Sequence, residues 1–456
     1  MGNTRLAARA TLACVVLLAP PALARDGDLD AGFGTNGTTV VEFGAPATAF
    51  GMALAPDGRI VLGGTVEAGA SGTDFAVARL TRDGLPDPDF SFDGRTTAAV
   101  GTGAAYDASF NTIVQADGKI VLIGEGPDTD APMDDSDFKL VRFNTDGTLD
   151  ASFSGDGKAY IEFNLGGANS DRALDAVQLP NGKLVVVGSA EVADGDSDIA
   201  VVRLNVDGSR DTSFDSDGRL TFSFDLDPAF PGEIASSVAI DTNGRIIIAG
   251  AAANGSLSGN DFAIARLLPN GALDPDFGGD GRVTVAFDLG GTFEDTALEL
   301  NLAADGSIFV SGGVKDSGYD FGVVKLQPDG TPDPSYGSGG RATVAFDLGD
   351  TNDDIAYGGV LQADGKFIFT GFAGAPAPDV ALARLDADGT LDPTFGFAGK
   401  QVIPLDLGGN LFDAAVRGRI QDGYLVFGGV AATASADSNF LAGRIIIDTL
   451  LEDGFD

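Results

Sequence analysis

Short apolar runs separated by turn residues recur along the whole chain. In one unit they occupy residues 282–287, 297–302, 307–312 and 320–326, and they are rich in β-branched and aromatic residues. The run at 297–302 alternates apolar with polar side chains, which is the period of a strand with one buried face. Four such strands in about 60 residues, each bounded by turns, predict one blade of a β-propeller.

A nine-residue phrase, Leu-Asp-x-x-Phe-Gly-x-x-Gly, marks each unit. Its aspartates follow one another at intervals of 57 to 63 residues, and they are Asp30, Asp87, Asp150, Asp211, Asp274, Asp333 and Asp392. Self-similarity at a fixed period indicates a repeat architecture. Seven copies predict an all-β, seven-bladed propeller with four antiparallel strands per blade. A β-solenoid is the alternative, but its coils are usually much shorter than this period.

A glycine turn joins the second and third runs of every unit. The residue before the glycine is Asp57, Asp117, Asn181, Asn243, Asp305, Asp364 or Asp422. Asp-Gly and Asn-Gly suit a type I′ turn, in which both central residues have positive φ, so we expect seven such hairpins. These hairpins and the Leu-Asp phrases are predicted to share one end of the ring, the hairpin face. The irregular loops fall on the opposite end, the variable face.

The phase of the repeats also predicts how the ring closes. If the strand before each hairpin lies nearest the axis, the chain begins with a lone outermost strand at 38–43. This strand is expected to pair with the strand around 444–447 and to complete the seventh blade, which hides two open sheet edges. The predicted organisation is a signal peptide at 1–24, a single propeller at 25–448, and a short acidic tail or truncated repeat at 449–456.

Several phrases resemble the delta-60 repeat, a bacterial family of unknown function. They are Gln-Ala-Asp-Gly-Lys-Ile-Val from Gln115, Asp-Phe-Ala-Ile-Ala-Arg-Leu from Asp261, and Asn-Gly-Ala-Leu-Asp-Pro-Asp-Phe-Gly from Asn270. The resemblance covers nearly all of the chain after the signal peptide. It implies an exported β-propeller and brings no catalytic residue with it.

The first residues have the pattern of an export signal. Arg5 and Arg9 accompany an apolar stretch, and Ala22 and Ala24 supply the small residues of a cleavage site. Cleavage near Ala24 predicts a secreted or periplasmic protein. A lipid anchor on Cys14 is disfavoured, because that residue lies inside the apolar stretch. No later segment is long and apolar enough to span a membrane.

The composition narrows the chemistry. The formal charge is −39, and removing Arg5 and Arg9 leaves 26 basic and 67 acidic residues, or −41. Such an excess opposes nucleic-acid binding through phosphates and favours solubility, cations or basic partners. The one cysteine, Cys14, lies in the predicted signal peptide, so the chain after it contains no His, Cys or Trp. This composition excludes histidine-activated nucleophiles and conventional zinc sites. No organic cofactor is indicated, and we expect a monomer.

An acidic column precedes the inner strands. Ten residues before each hairpin turn stand Asp107, Asp171, Glu233, Asp295 and Asp354, with Ala47 and Phe412 in the remaining units. On a closed ring these acids are expected to crowd the channel mouth, where they could bind a hard cation such as Ca²⁺. The favoured alternative is that each carboxylate caps backbone N–H groups where the chain enters the inner strand.

A second candidate calcium site is Asp194, Asp196 and Asp198. Carboxylates at alternate positions resemble the start of a calcium loop, but the glycine and distal glutamate of an EF-hand are absent. The preceding irregular loop is also acidic, with Asp128, Asp130, Asp134, Asp135 and Asp137. These loops make the variable face the predicted interaction surface.

Counted from the inner strand, the third strand of each blade carries a basic residue near its end. These residues are Arg79, Arg142, Arg203, Arg266, Lys325, Arg384 and Arg444. Presence in every unit favours a structural bond to the repeated aspartate over substrate binding. The sequence contains no recognisable catalytic motif. It therefore predicts a non-catalytic scaffold that presents an acidic face to an extracellular protein, a glycan or a cation. The alternative is a carboxylate- or calcium-dependent hydrolase or lyase acting on extracellular polymers. Tyr357 and Phe412 are placed near the channel.

Overall fold

The computed structural model describes most of the chain after the predicted signal peptide. It covers residues 24–447 except 70–71, 101–105, 128–135, 168, 225, 227–231, 255–258, 288, 290–293, 347, 349–352, 375–376, 406, 408–411 and 434–437. The predicted signal cleavage, the C-terminal tail, and Asp128, Asp130, Asp134 and Asp135 lie outside the described residues. Within the described ranges, no helix has the length and apolar composition needed to cross a membrane.

The described residues form twenty-eight strands in seven four-stranded antiparallel sheets, the seven blades. Blade one contains β2 (Ala47–Leu54), β3 (Ile60–Glu67), β4 (Thr73–Leu80) and β5 (Arg95–Ala98). Blade two contains β6 (Ala108–Val114), β7 (Ile120–Pro127), β8 (Ser136–Phe143) and β9 (Lys158–Ile161). Blade three contains β10 (Arg172–Gln178), β11 (Leu184–Ala193), β12 (Asp196–Leu204) and β13 (Arg219–Phe222). Blade four contains β14 (Glu233–Ile240), β15 (Ile246–Ala253), β16 (Asn260–Leu267) and β17 (Arg282–Val285). Blade five contains β18 (Thr296–Leu302), β19 (Ile308–Lys315), β20 (Tyr319–Leu326) and β21 (Arg341–Val344). Blade six contains β22 (Ile355–Leu361), β23 (Phe367–Ala373), β24 (Asp379–Leu385) and β25 (Lys400–Ile403). Blade seven contains β26 (Ala414–Gln421), β27 (Tyr424–Ala432), β28 (Ser438–Ile446) and β1 (Thr38–Val41).

The first strand closes the ring, as predicted. β1 is the outermost strand of blade seven and pairs with β28, from Thr38 opposite Gly443 to Val41 opposite Phe440. The partners therefore lie just before the expected residues 444–447. That part of β28 is bonded instead by the segment before β1, since the N–H of Asp30 donates to the carbonyl of Arg444 at 2.9 Å. The first and last described strands thus belong to one blade.

Burial on both faces explains why the second and third strands of each blade are almost continuously apolar. Along β15, alternate side chains pack on opposite neighbours: Ile246 and Ile248 face blade three, whereas Ile247 and Ala249 face blade five. A strand covered on both sides needs apolar residues at every position. The cores of the protein therefore lie between the blades. Each blade depends on its two neighbours for the burial of its side chains.

The hairpins differ from the type I′ prediction in six of the seven blades. At Asp305-Gly306 only the glycine has positive φ, at +87°. The N–H of Gly306 donates to the carbonyl of Ala303 at 3.0 Å, and Asp305 Oδ1 accepts the N–H of Ser307 at 2.8 Å. These loops have three residues, which favours a type I turn followed by a left-handed glycine. Asp422-Gly423 has a two-residue loop and positive φ at both positions, so the prediction is correct there alone.

The basic residue of the third strand ties adjacent blades together. Nε of Arg384 binds Asp392 Oδ2 at 2.7 Å, and Nη1 of the same side chain donates to the carbonyl of Ile447 in blade seven at 3.0 Å. Burial alone would raise the pKa of Asp392, but hydrogen bonds from Lys366 and Thr394 and the charge of Arg384 hold it well below its usual range. Equivalent ion pairs occur at Arg79, Arg142, Arg203, Arg266, Lys325 and Arg444. The predicted bond between the third-strand basic residue and the repeated aspartate is confirmed in all seven units.

Candidate functional site

The acidic column lies at the boundaries between blades. Asp295 Oδ2 accepts the N–H of Phe287, just after the outermost strand of blade four, at 2.8 Å. Its Oδ1 accepts the N–H of Lys315, in the second strand of blade five, at 3.0 Å. Asp171 and Asp354 make the same two kinds of contact. Each of these carboxylates therefore joins the outer end of one blade to the middle of the next.

The other two members of the column make the first of these contacts. Asp107 accepts the N–H of Val100 at 2.9 Å, and Glu233 accepts the N–H of Phe224 at 2.6 Å. The five acids therefore occupy five successive blade boundaries, where each accepts a backbone N–H just after the outermost strand of the preceding blade. Among the described residues, no three acidic side chains are grouped closely enough to hold a metal ion.

Blade seven also has an acid at this position, one residue later than the sequence count placed it. Ala415 pairs with Gly429 as Ala297 pairs with Gly312, so Asp413 is the equivalent of Asp295. Asp413 Oδ1 accepts the N–H of Ala432 at 2.8 Å. The count from the turn failed because the hairpin of blade seven is one residue shorter. Phe412 is therefore not a member of the acidic column but the residue before Asp413 in sequence.

Asp194, Asp196 and Asp198 belong to the β-hairpin formed by β11 and β12. Asp194 and Gly195 form the turn between β11 and β12, whose flanking residues Ala193 and Asp196 pair. Asp196 and Asp198 are the first and third residues of β12. Their alternate spacing therefore arises from a strand. Asp137, in the acidic segment before, is buried with its Oδ2 3.4 Å from Nζ of the fully buried Lys139.

The channel contains a buried polar layer that the sequence reading missed. Every inner strand has a β-bulge, and a Cβ at Gly312 would lie only 1.9 Å from the carbonyl oxygen of Thr296, which explains the small residue opposite the bulge. Just beyond the bulge, Glu299 of blade five binds Arg417 of blade seven. The sequence does contain a sign of this layer, because three inner strands carry a polar residue at the same position: Asn111, Asp175 and Glu299. The shorter hairpin of blade seven shifts the count by one residue, so Arg417 was not recognised as the equivalent of Glu299.

Asp175 is the most strongly perturbed acid in this layer. Its Oδ1 accepts Nδ2 of Asn111 at 2.6 Å, and its Oδ2 accepts the N–H of Val238 at 2.8 Å. Burial raises the pKa of Asp175 to about 6, against the lowering effect of the positive charge of Arg417, and Glu299 raises it further. The N–H of Leu300 in blade five donates to Oγ of Ser237 in blade four, so these contacts connect blades two to five and seven and fix the arrangement of their inner strands.

A polar groove crosses the variable face over blades two, three and four. Its cavity has a volume of about 730 Å³. The lining includes four acidic side chains, Glu125, Glu191, Asp196 and Glu233, and four serines, Ser136, Ser170, Ser189 and Ser197. Arg172 is the one cation among the described lining residues, and its Nε lies 2.9 Å from Glu125 Oε2. Tyr106 stands at the groove with 59% of its surface exposed. We call this feature the acidic groove.

A second depression, the aromatic pocket, lies between blades six, seven and one. It has a volume of about 290 Å³ and is lined by Phe50, Tyr357, Phe412, Val416, Val430, Ala432, Thr48 and Ser438. Tyr357 and Phe412, which the sequence placed near the channel, both line this pocket. An aromatic ridge leads from the pocket to the groove, because Phe50 lies 6.1 Å from Phe110 and Arg172 covers Phe110 at 5.5 Å.

Comparison with known families identifies the repeat. A model described as a domain of unknown function, the DUF5122 β-propeller, matches residues 55–90, 115–153, 179–214, 242–277, 303–336 and 362–395. The chain carries six copies of the DUF5122 β-propeller domain. The resemblance to a repeat family of unknown function is thereby confirmed, and this DUF5122 propeller has seven blades. Comparison with curated proteins gives no match.

Solved structures with similar architecture include enzymes and a protein of unknown function. The protein from Dyadobacter fermentans has 12% identity and a TM-score of 0.45, covering 91% of this chain and all of its own. An ulvan lyase has 8% identity and a TM-score of 0.49, covering 93% and 95%. The α-L-arabinanase of Penicillium chrysogenum has 12% identity and a TM-score of 0.41, covering 74% and 92%. Similarity at this level gives no basis for assigning an activity to the DUF5122 propeller.

Proposed function

We propose that this DUF5122 propeller is an exported, non-catalytic scaffold whose variable face binds a basic segment of an extracellular protein. The single observation that carries the proposal is the lining of the acidic groove. Four acidic side chains face one cation, and that cation is already paired with Glu125. A groove with net negative charge attracts Lys- and Arg-rich segments and repels anionic polymers.

The distribution of cations supports the same choice of face. Lys119, Lys183 and Lys366, which follow hairpin turns, bind the repeated aspartates at 2.6–2.9 Å. The third-strand arginines bind the same aspartates from the other side. Much of the positive charge is therefore committed to the hairpin face and to the blade interfaces. The described part of the groove keeps its acidic excess, so charge complementarity distinguishes the two ends of the ring.

The contacts of the groove acids support binding over catalysis. Glu125 is paired with Arg172, Glu191 accepts the N–H of Ser170 at 3.1 Å, and Glu233 accepts the N–H of Phe224. A general acid or nucleophile needs a carboxyl group that can reach the substrate. These three carboxyl groups instead support neighbouring backbone and side chains. Hydrolase or lyase activity on a polymer is the alternative.

Direct binding measurements on the chain from residue 25 test the proposal. We expect polylysine to bind, with affinity that falls as the salt concentration rises, and polyglutamate and a neutral glucan not to bind. Glu191→Gln combined with Asp196→Asn should weaken polylysine binding by roughly two- to tenfold. The matched control, Asp117→Asn combined with Asp364→Asn, removes the same charge from the hairpin face and should leave binding unchanged.

Each other outcome points to a different function. Equal weakening by both pairs of substitutions would mean that the groove is not the binding site. Salt-independent binding of the neutral glucan would replace a basic protein with a glycan as the partner. Release of unsaturated or reducing ends from a polysaccharide would support the enzyme alternative. Melting temperatures of all variants must match that of the parent chain before affinities are compared.

We also propose that Asp107, Asp171, Glu233, Asp295 and Asp354 serve as caps of backbone N–H groups and not as calcium ligands. The contacts at Asp295 support this role, because both of its oxygens already accept backbone hydrogen bonds that join two blades. A capping carboxylate with two N–H donors needs no ion to offset its charge. For Asp194, Asp196 and Asp198 we propose the same absence of calcium, since the hairpin accounts for their spacing.

A further inference from the structure

The aromatic pocket presents an apolar surface with little capacity for hydrogen bonding. Three of its described residues bear a hydroxyl group: Tyr357, and Thr48 and Ser438, whose oxygens lie 3.1 Å apart and bond to each other. The remaining wall consists of aromatic and aliphatic side chains. A sugar ring would leave most of its own hydroxyl groups without partners here, at a cost in binding free energy. The pocket therefore suits a ligand group that carries no hydrogen-bond donor.

The aromatic side chains form a supported cluster. Phe412 packs edge-on against Phe372 at 4.9 Å between ring centroids, and Tyr357 lies 5.6 Å from Phe372. Phe50 is supplied by blade one, so three blades contribute rings to one cavity. Aromatic faces attract cations through their quadrupole, and a desolvated ring cluster strengthens this attraction.

The charges around the pocket also favour a cation. The buried Asp413 follows the wall residue Phe412 in sequence, and its Oδ1 accepts the N–H of the wall residue Ala432. Arg417 follows the wall residue Val416 and would oppose a cation, but its Nη1 lies 2.8 Å from Glu299 Oε2, so its charge is matched. The net charge of −41 after signal cleavage, from 26 basic and 67 acidic residues, adds a long-range attraction.

We infer that the aromatic pocket binds the trimethylammonium group of a small quaternary ammonium compound. Such a group is cationic, donates no hydrogen bond and presents methyl groups to aromatic faces. A primary ammonium would lose most of its hydrogen bonds to water in this pocket, whose described lining is mainly apolar. The pocket is distinct from the acidic groove, and the inference does not depend on the binding of a basic protein there.

Calorimetric titration with choline tests the inference, and its neutral isostere is the decisive control. The compound 3,3-dimethylbutan-1-ol has the same shape, with carbon in place of the charged nitrogen. We expect choline to bind about three- to thirtyfold more tightly than the isostere. Equal affinities, or no heat with choline, would overturn the inference. Binding to phosphatidylcholine vesicles without binding to free choline would also overturn it, because the ligand would then be a membrane surface.

Substitutions at Phe412 locate the site. Phe412→Leu keeps an apolar wall but removes the ring, and it should weaken choline binding while leaving the isostere unaffected. Phe412→Tyr keeps the ring and should preserve choline binding. Phe397→Ala, at an exposed phenylalanine of a repeat phrase, is the matched control and should change neither affinity. Since Phe412 is 38% exposed, these variants should fold; a loss of choline binding in Phe397→Ala as well would refute the assignment.

Discussion

Arg417 of blade seven reaches across the central channel to Glu299 of blade five, with 2.8 Å between Nη1 and Oε2. The same nitrogen donates to the carbonyl oxygens of Leu298 and Tyr357, so one side chain links three blades. Both members of the pair are almost completely buried. The ring is therefore held at its axis by a charge pair as well as by apolar packing between the blades.

Removing Arg417 should destabilise the protein strongly. Arg417→Met leaves the Glu299 carboxylate buried without its main partner, and we expect a loss of about 3–5 kcal/mol in the free energy of unfolding. Arg419 contacts the same carboxylate at 3.2 Å but is 40% exposed, so Arg419→Met should cost less than about 1 kcal/mol. Urea denaturation measures both values. Similar losses for the two variants would show that burial of Arg417 is not what makes the pair important.

Asp175 should make stability fall as the pH rises from about 4 to about 6. Burial raises the pKa of Asp175 to about 6 from 3.8, so the folded state binds more protons than the unfolded state in this interval. Ionisation then costs the folded state about 3 kcal/mol across the interval and nothing more above it. The difference in unfolding free energy between the parent chain and Asp175→Asn, followed by urea denaturation against pH, should show this slope.

Asp305 provides the control for that pH profile. Hydrogen bonds from Ser307 lower the pKa of Asp305, so its contribution to stability is present above the ordinary carboxyl pKa and is lost as the pH falls. The difference between the parent chain and Asp305→Asn should therefore be nearly flat from pH 4 to 6 and should slope in the opposite direction below the ordinary pKa of 3.8. The same slope for both variants would contradict the assignment of the effect to burial of Asp175.

Ring closure predicts a large effect of truncation at the N-terminus. Deleting residues 25–43 removes β1 and exposes the edge of β28 between Phe440 and Gly443. It also removes Asp30, which binds Arg444. We expect the melting temperature to fall sharply and the stability to drop by more than about 3 kcal/mol. A melting temperature equal to that of the chain from residue 25 would show that closure contributes little to stability.

The left-handed glycine of the hairpins can be tested at Gly306. Gly306→Val should reduce the unfolding free energy by about 1–3 kcal/mol, because a β-branched residue resists positive φ. Gly306→Asn should cost less, since asparagine tolerates this conformation better. Thermal and urea denaturation of both variants give the comparison. Equal stability of Gly306→Val and the parent chain would contradict the turn described at φ +87°.

The capping role of the acidic column has a calcium test. Asp295→Ala should lose about 1–3 kcal/mol, because two backbone N–H groups lose their acceptor. We expect the melting temperature of the parent chain to be the same with Ca²⁺ and with a chelator. A rise with Ca²⁺ that disappears when Asp171→Asn and Asp295→Asn are combined would establish a metal site instead.

Repetition allowed the sequence to determine the architecture. Asp274 and its six equivalents give the number of blades, and the lone apolar run at 38–43 gives the closure by β1, because an unpaired outer strand has one open edge to join. The third-strand arginines were also interpretable, since a charge pair present in every unit has a structural role. These features depend on local pattern and on the period of the repeat.

Tertiary structure decided what happens along the axis. A change of one residue in the hairpin at Asp422 shifts the register of β26, and the sequence count therefore assigned Phe412 to the position that Asp413 occupies. The sequence count also could not show that Arg417 meets Glu299, because these residues are more than a hundred positions apart and come together only when the ring closes. Phe50 and Phe412 converge in the aromatic pocket for the same reason. Repeats specify how each blade is built, whereas contacts across the channel depend on the few positions at which the blades differ.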